Sequence, residues 1–349
     1  MKTHLNTLFV TTQGAYLHKK GDTVCVEVDG NTRLRVPLHN LESLVAFGRI
    51  SFSPFLLGAC AERSLGVHML TERGRYLASV QGPVSGNVLL RRAQYRLADD
   101  ERGSMGIAKP IVAAKILNCR SVVTRAVRDH GDRDGELGGV ATNLARLAKK
   151  VMGCETLSQV RGIEGDAARQ YFRVFGDLIS LKDDDARADF EMRGRSRRPP
   201  LDRVNALLSF VYTLLMGDCR SALCAVGLDD QVGFLHLDRP GRSGLALDVM
   251  EEFRPVLADR LALSLINRRQ LRSSDFEVQD TGAVFLTESG RRTVLEAWQK
   301  RKQDEAKHPF LGERASWGFF PHFQARLLAR HVRGDLDAYP ALLWDSACT

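Results

Sequence analysis

Cysteine is sparse in the 349-residue sequence, and its seven copies are scattered and odd in number. No two of them form a Cys-x-x-Cys pair. The sequence therefore indicates neither a disulfide framework nor a structural zinc cluster. A reducing cytoplasm is the location that this pattern favours.

Long apolar runs are also missing. Residues 1–6 contain no apolar segment of the kind found in secretory signals, so we expect no secretory signal. The longest apolar stretch, Leu207 to Met216, is interrupted by Ser209 and Thr213 and is too short to span a bilayer. We interpret it as a buried helix and expect no membrane association. The sequence shows no internal repeat and no low-complexity tract.

Acidic side chains are outnumbered by basic ones. The 50 Lys and Arg residues exceed the 42 Asp and Glu residues, which gives a formal net charge of +8. A cationic surface attracts phosphate backbones and anionic lipids, so this balance favours a polyanionic partner without identifying it. The length is sufficient for two hydrophobic cores.

Residues 1–80 have the pattern of a small, mostly antiparallel β-domain. Residues 23–28 alternate between apolar and polar side chains, as a half-buried strand does, and Asp29-Gly30-Asn31 is a hairpin signal. Apolar side chains at helical spacing predict one helix over residues 53–63. Further short strands are predicted over residues 8–12, 15–18, 33–36, 66–70 and 76–80, with a turn or strand over 41–47.

Residues 81–86 are rich in Gly, Pro and Ser and form the predicted linker to a second domain, residues 87–349. In this domain the apolar spacing becomes helical. The predicted fold is α+β, a small β-sheet domain followed by a larger all-α domain. Helices are predicted over residues 88–97, 107–127 (with Pro110 in its first turn), 141–152, 157–181, 203–226, 247–267, 289–304 and 322–333, and a hairpin near 275–287.

An arginine cluster precedes Pro199-Pro200, and two prolines disfavour a helix interior at this point. Two interpretations are open. The cluster is a solvated loop, or it contacts phosphates, which guanidinium groups recognise well. Its members are Arg193, Arg195, Arg197 and Arg198.

Glu164 lies between Gly162 and Gly165 at the start of a predicted helix. The glycines weaken that helix, which indicates a packing or approach requirement. Glu164 shares a helical face with Tyr171 and Phe172, and an acid directed at the interior is costly unless it is paired or metal-bound. The alternative is a glutamate that stabilises the positive end of the helix.

Two further segments carry ionisable residues. His236 is flanked by leucines and precedes a turn-rich loop, where it is either a satisfied core histidine or a ligand. Asp248, Glu251 and Glu252 stand at i, i+3 and i+4, so one helical face is predicted to carry three carboxylates. Their repulsion would be removed by a bound cation; the alternative is an exposed acidic face.

Together these residues fit phosphodiester chemistry, which uses a hard divalent cation that prefers carboxylate oxygens. One imidazole beside carboxylates suits Mn²⁺ as well as Mg²⁺. Such a metal would polarise a phosphoryl oxygen and neutralise the charge that develops during in-line displacement. Arg239, Arg242 and Arg254 are candidates for further phosphate contacts.

Four ordered blocks resemble the CRISPR-associated adaptation integrases, the larger of the two core spacer-acquisition proteins. The similarity extends over nearly the whole chain, and its details most resemble the subtype I-C branch. The blocks are Gly162-Ile163-Glu164-Gly165, then Arg197 to Tyr212 (RRPPLDRVNALLSFVY), then Phe234-Leu235-His236, and finally Leu247 to Pro255 (LDVMEEFRP).

The resemblance implies Mg²⁺ or Mn²⁺ held by Glu164, His236 and Glu251, with Asp248 as a supporting acid and Tyr212 as a DNA contact. It implies that the 3′-hydroxyl of a foreign double-stranded DNA fragment attacks a phosphodiester at the repeat boundary of a CRISPR array. Water in place of that hydroxyl gives endonuclease activity. It also implies a homodimer formed through the β-domain, two of which flank a dimer of a small ferredoxin-like adaptation protein.

The residues alone leave two other functions open. A non-catalytic DNA-binding scaffold would share the basic charge, and its acidic helix would be a solvated surface. A metal-dependent nuclease of general DNA repair would share the site but would prefer branched DNA.

Overall fold

The computed structural model describes residues 6–63, 65–80, 88–132, 134–192 and 194–344. The chain divides into two units, residues 1–86 and residues 87–349. The predicted linker, residues 81–86, lies outside the described residues, as does Arg193.

The described part of the N-terminal unit consists of short strands and one helix. All of the predicted segments form, and β6 is added to them. The elements are β1 (Asn6–Val10), β2 (Tyr16–Lys20), β3 (Thr23–Val28), β4 (Asn31–Pro37), β5 (Leu41–Phe47), β6 (Ser51–Phe52), α1 (Pro54–Glu62), β7 (Gly66–Leu70) and β8 (Tyr76–Val80).

The strands form two four-stranded sheets, with the orders β1-β5-β7-β8 and β4-β3-β2-β6. The expectation of mostly antiparallel pairing was wrong, since β1–β5, β5–β7 and β2–β6 are parallel. Parallel neighbours need a crossover connection. Between β5 and β7 that crossover is supplied by β6 and α1.

Local signals explain the elements of this unit. Asp29 and Gly30 join β3 to β4 with φ of 52° and 74°, the positive values that a tight hairpin turn requires at both positions. The helix α1 begins after Ser53, whose side chain accepts the N–H of Leu56. Leu56 then packs into the apolar core of the unit with Leu17 and other buried side chains.

The described part of the C-terminal unit is mainly helical, so the predicted β-sheet region followed by a helical domain is confirmed. It also contains two small hairpins, of which β9–β10 is the one predicted near residues 275–287 and β11–β12 was not predicted. The elements are α2 (Val88–Asp99), α3 (Glu101–His130), α4 (Glu136–Met152), α5 (Leu157–Arg173), α6 (Asp184–Ala188), α7 (Arg203–Val226), α8 (Gly244–Phe253), α9 (Arg260–Asn267), β9 (Phe276–Val278), β10 (Val284–Leu286), α10 (Glu288–Gln303), β11 (Glu305–Lys307), β12 (Arg314–Ser316) and α11 (Phe320–Val332).

The start of α3 differs from the prediction. Asp100 caps the helix by accepting the backbone N–H groups of Arg102 and Gly103, so α3 begins six residues earlier than its apolar spacing indicated. Pro110 therefore lies in the helix interior and not in its first turn. The end of α5 differs as well, because the helix stops at Arg173 and a 3₁₀ turn over Phe175–Leu178 follows.

The helix predicted over residues 247–267 is continuous but not uniform. A π-helical turn, Arg254–Asp259, joins α8 to α9. Pro255 lacks the N–H that a regular α-helical ladder needs, which accounts for a wider turn at this point. Both α8 and the π-helical turn are almost fully buried, so their polar side chains must find partners inside the protein.

The helix α7 packs against α8, α11 and β10. It begins after Asp202, whose side chain accepts the N–H of Asn205. By length and composition α7 could cross a membrane, yet the core helix of a globular protein meets the same test, and half of its most apolar window is buried. The helices α3, α5 and α8, which pack on one another, carry the site described next.

Candidate active site

Three side chains that are remote in the sequence line one cavity of about 300 Å³. Glu164 comes from the middle of α5, His236 from the loop that follows α7, and Glu251 from α8. Glu164 lies about two turns inside α5, so the interpretation of it as a helix-end glutamate was wrong. The convergence of these segments makes the cavity the candidate active site.

Lys115 of α3 lies between the two glutamates. Its Nζ is 2.7 Å from Oε2 of Glu251 and also contacts Oε1 of Glu164. Burial alone lowers the pKa of Lys115, but Glu251 and Glu164 outweigh burial and raise it above its ordinary value. The buried ammonium therefore stays charged and holds two carboxylates that would otherwise repel each other.

Glu251 is the most enclosed carboxylate of the cavity, with 3% of its side chain exposed. Its Oε1 accepts Nη1 of Arg254 at 2.9 Å, one helical turn further on. Burial alone raises the pKa of Glu251, but Arg254 and Lys115 lower it to about 2. The group is therefore a permanent carboxylate at neutral pH.

His236 is oriented by Asp248. Its Nδ1 lies 2.6 Å from Oδ1 of Asp248, whose oxygens also accept the backbone N–H groups of Phe234, Leu235 and His236. A carboxylate that already accepts three N–H groups favours a protonated Nδ1. In the neutral ring, Nε2 then carries the lone pair, and it lies 3.9 Å from Oε1 of Glu251.

Two glycines permit this close contact between the loop and α8. A Cβ on Gly233 would lie 2.7 Å from Oδ2 of Asp248 and 2.8 Å from the carbonyl carbon of Gly244. A Cβ on Gly244 would lie 2.6 Å from the backbone oxygen of Gln231. Any other residue at either position would push the His236 loop away from Asp248.

The acidic residues of α8 do not share one face. Asp248 and Glu251 are directed at the His236 loop and the cavity, whereas Glu252 accepts Tyr339 Oη at 2.6 Å and Gln324 Nε2 at 2.8 Å. Burial raises the pKa of Glu252 to about 7, although these hydrogen bonds oppose the rise. All three acids are buried, so the interpretation as an exposed acidic face was wrong.

Arginines surround the mouth of the cavity. Arg197, Arg242 and Arg254 line it, while Arg198 and Arg239 are exposed. Burial lowers the pKa of Arg242, and the nearby charges of Arg239, Arg197 and Arg198 lower it further. This mutual repulsion indicates a cationic rim at which a polyanion would be stabilised.

Two residues of the candidate active site, Lys115 and Arg161, were not predicted from the sequence. Lys115 had one signal, because it is a lone cation in an otherwise apolar stretch of α3. Arg161 lines the cavity from α5, and its Nε donates to the backbone oxygen of Leu235 at 2.6 Å. Arg161 thus joins α5 to the loop that carries His236, a contact that no local pattern predicts.

Tyr212, the predicted DNA contact, packs behind the site. Its hydroxyl donates to Oδ1 of Asp259 at 2.6 Å, and its ring lies 5.0 Å from the Arg254 guanidinium and 5.4 Å from that of Arg195. The hydroxyl is therefore engaged inside the protein. A contact between Tyr212 and DNA stays a prediction.

The donor set suits a hard divalent cation, since it offers two carboxylates from different helices and an imidazole Nε2. Oε2 of Glu251 is buried and accepts no hydrogen bond of good geometry, although Lys115 lies nearby. Among the described residues, no three His, Cys, Asp or Glu side chains are already grouped as a metal cage. Lys115 is the cation that separates the glutamates, so a metal at this position would compete with it.

Comparison with known proteins identifies relatives along most of the chain. Residues 8–300 match the family model for CRISPR associated protein Cas1. A CRISPR-associated endonuclease Cas1 of Chlorobaculum tepidum is 52% identical over 346 residues, which cover 99% of this chain and 100% of the relative. Another, from Rhodospirillum rubrum, is 53% identical over 350 residues with the same coverage.

Solved structures share the fold. A CAS1 protein from Thermotoga maritima has a TM-score of 0.80 at 23% identity, covering 94% of this chain and 97% of that chain. A casposase bound to integration product has a TM-score of 0.82 at 20% identity, covering 97% and 94%. A chain of a Cas6-RT-Cas1–Cas2 complex has a TM-score of 0.81 at 24% identity, covering 99% of this chain and 37% of that chain.

Proposed function

Because the chain belongs to the Cas1 family of CRISPR-associated proteins, we propose that it is a DNA endonuclease and integrase of spacer acquisition. The observation that carries the proposal is the convergence of Glu164, His236 and Glu251 on one cavity with a cationic rim. A solvated scaffold surface would not bury these acids, so this burial favours a catalytic site over the scaffold alternative.

The proposed cofactor is Mg²⁺ or Mn²⁺, which Glu164, Glu251 and Nε2 of His236 would hold. When bound, it would polarise a phosphoryl oxygen and offset the negative charge that builds up in the transition state. Asp248 would fix the tautomer that leaves Nε2 available, as the outer partners of metal-binding histidines do. Lys115 would keep the two carboxylates together when the metal is absent.

The proposed reaction joins foreign DNA to the array. The 3′-hydroxyl of the fragment attacks a phosphorus at the repeat boundary; a new P–O bond forms while the bond to the displaced 3′-oxygen breaks. Arg197, Arg242 and Arg254 would position the phosphate and stabilise its charge from the rim of the cavity. Water as the attacking group gives endonuclease activity by the same displacement.

The proposed assembly is a homodimer that binds double-stranded DNA, both the foreign fragment and the CRISPR repeat, and a small adaptation protein. A chain with the same fold occurs in a complex with Cas2, which supports such a partner. The proposed location is the cytoplasm. The six cysteines in the described residues are free thiols, which supports a reducing compartment.

Conservative substitutions test the proposal. We expect Glu164→Gln, His236→Asn and Glu251→Gln each to reduce DNA cleavage and strand transfer at least about 100-fold, because each removes a donor of the site. DNA binding should persist, since the arginine rim is unchanged. The matched control is Asp166→Asn, a partly exposed acid two residues after Glu164 on the same helix.

Calorimetric titration with Mn²⁺ separates the alternatives. Stoichiometric binding that is lost in His236→Asn supports the site, whereas a wild-type protein with neither such binding nor DNA cleavage would be a scaffold. Wild-type cleavage rates in all three variants would contradict the proposed site. Preference for branched DNA over an array repeat would identify a repair nuclease instead.

A further inference from the structure

A second cavity, of about 520 Å³, lies in the C-terminal unit and shares no lining residue with the candidate active site. Basic side chains reach it from α3, from both ends of α9 and from α10. We call this set the second basic cluster. Its members are Arg125, Arg260, Arg268, Lys300 and Arg301.

The acids that line the cavity are already paired. Oδ2 of Asp129 accepts Nε of Arg125 at 3.3 Å, and Oδ2 of Asp304 accepts Nη1 of Arg301 at 3.1 Å. Among the described residues, no carboxylate forms an ion pair with the other three members of the cluster. Three cations therefore have no direct ion-pair partner in this part of the structure, Arg260, Arg268 and Lys300, although the charge of Asp129 acts on Arg260 from a greater distance.

Arg260 is the least exposed of these three cations. It is partly buried at the start of α9, directly after the π-helical turn. Burial lowers the pKa of Arg260 to about 10, and the neighbouring charges of Arg125 and Arg301 contribute to this fall while Asp129 opposes it. A guanidinium held among like charges is unfavourable unless an anion joins them.

The lining residues indicate which anion fits. Guanidinium groups match the geometry of a phosphate, and the hydroxyl groups of Ser180 and Ser264 add donors of the usual phosphate-binding kind. Asn267 stiffens the wall by accepting the N–H of Ser180 and donating to the oxygen of Leu178. The lining residues include His130 but no Phe, Tyr or Trp, so the cavity offers little surface on which a base would stack.

The helix α3 passes near both cavities, since Lys115 contacts Glu164 and Glu251 of the first and Arg125 lines the second. Arg125 follows Lys115 by ten residues on this helix, a rise of about 15 Å along its axis. A nucleic-acid strand spans this distance in a few nucleotides. One DNA molecule is thus long enough to contact both places.

We infer that the second basic cluster binds a backbone phosphate of nucleic acid at a position separate from the candidate active site. This inference rests on the proposed DNA substrate and adds a further contact to it. The cluster acts by charge, so its contribution is independent of base sequence and sensitive to salt.

The test compares three variants by DNA binding with a metal chelator present, using one labelled duplex at several salt concentrations. Arg260→Gln and the exposed Lys300→Gln each remove one unpaired cation of the cluster. Arg146→Gln, on the exposed face of α4, makes the same charge change away from both cavities. Thermal unfolding without DNA checks that each variant folds.

We expect Arg260→Gln and Lys300→Gln to reduce the slope of log affinity against log salt by about one, and Arg146→Gln to leave it unchanged. Slopes equal to wild type in both cluster variants would overturn the inference while leaving the proposed function intact. If the two cluster variants change the salt slope as expected but the wild-type protein does not cleave DNA, only the proposed function is contradicted. A wild-type protein that binds no DNA would overturn both.

Discussion

Lys115 determines the charge balance of the candidate active site. Its ammonium contacts Glu164 and Glu251, and both contacts are shielded from water by the packing of α3 on α5 and α8. In low dielectric, removing one partner of such a pair costs more than the pair itself contributes, because a carboxylate is left uncompensated.

We therefore predict that Lys115→Met destabilises the metal-free protein by about 3 kcal/mol. Added Mn²⁺ should raise the melting temperature of this variant more than that of wild type, since the cation then replaces the missing ammonium. Differential scanning fluorimetry with and without Mn²⁺ measures both effects. Lys109→Met is the control, since Lys109 is a partly exposed lysine on the same helix; equal metal-induced shifts in all three proteins would contradict the prediction.

Residues with a signature in the sequence were predictable, and residues that meet them only in space were not. Glu164, His236 and Glu251 stand in blocks that resemble a known family. Lys115 and Arg161 act through contacts between different elements, and neither has a motif of its own. Regular helical spacing also suggested a shared acidic face on α8, but burial on both sides of the helix separates Glu252 from the others.

At the scale of elements, the π-helical turn between α8 and α9 is anchored by one buried acid. Asp259 accepts Tyr171 Oη of α5 at 3.0 Å and Tyr212 Oη of α7 at 2.6 Å. Burial raises the pKa of Asp259 from 3.8 to about 6, although both hydroxyl groups oppose the rise. The carboxyl group that joins three elements is therefore more easily protonated in the folded chain than in the unfolded chain.

A raised folded-state pKa means that the stability contributed by Asp259 is complete below about pH 4 and is lost as the pH rises through 6. Asp259→Asn does not titrate. We predict that its free energy of unfolding rises relative to that of wild type as the pH increases over this interval, by on the order of 2–3 kcal/mol. Urea unfolding at pH 4, 5, 6 and 7 measures the difference. Asp280→Asn at the surface should show no such trend, and a flat difference for Asp259→Asn would refute the assignment.

The limits of an element were predicted correctly where the sequence contains clear capping residues and an uninterrupted apolar period. The predicted limits of α7 match, because Asp202 caps its start and Gly227, with φ of 85°, ends it. The π-helical turn was not predictable from spacing, since the apolar residues continue through it without interruption. Parallel pairing in the N-terminal unit was missed because strand order depends on crossovers, which alternation along a strand does not record.

At the scale of the whole molecule, the formal net charge is +8, and two groups of basic side chains in the C-terminal unit line the candidate active site and the second cavity. The N-terminal unit has a different surface, with Phe55 84% exposed and Leu34 45% exposed. Exposed large apolar side chains are available for burial in an interface where they lie together in one patch. They fit the proposed dimerisation through the β-domain.

We predict that light scattering after size exclusion gives wild type twice the chain mass of 38.8 kDa. Phe55→Ser and Leu34→Ser should shift this mass towards the monomer, because each replaces apolar contact area by a hydroxyl group. Phe310→Ser changes another exposed phenylalanine, which lies in the C-terminal unit, and should leave the mass unchanged. A monomeric wild-type protein would rule out the proposed homodimer.

Because Glu251 and Glu252 are adjacent, the length of α8 is restricted. One glutamate serves the cavity and the next is hydrogen-bonded to Tyr339, beside a segment whose Leu342 and Trp344 are also buried. Inserting or deleting a single residue ahead of them would rotate the helix by about 100° and exchange a permanently ionised group for one poised near neutrality. Natural length variation among relatives should therefore fall in the loops on either side of this helix and spare the helix itself.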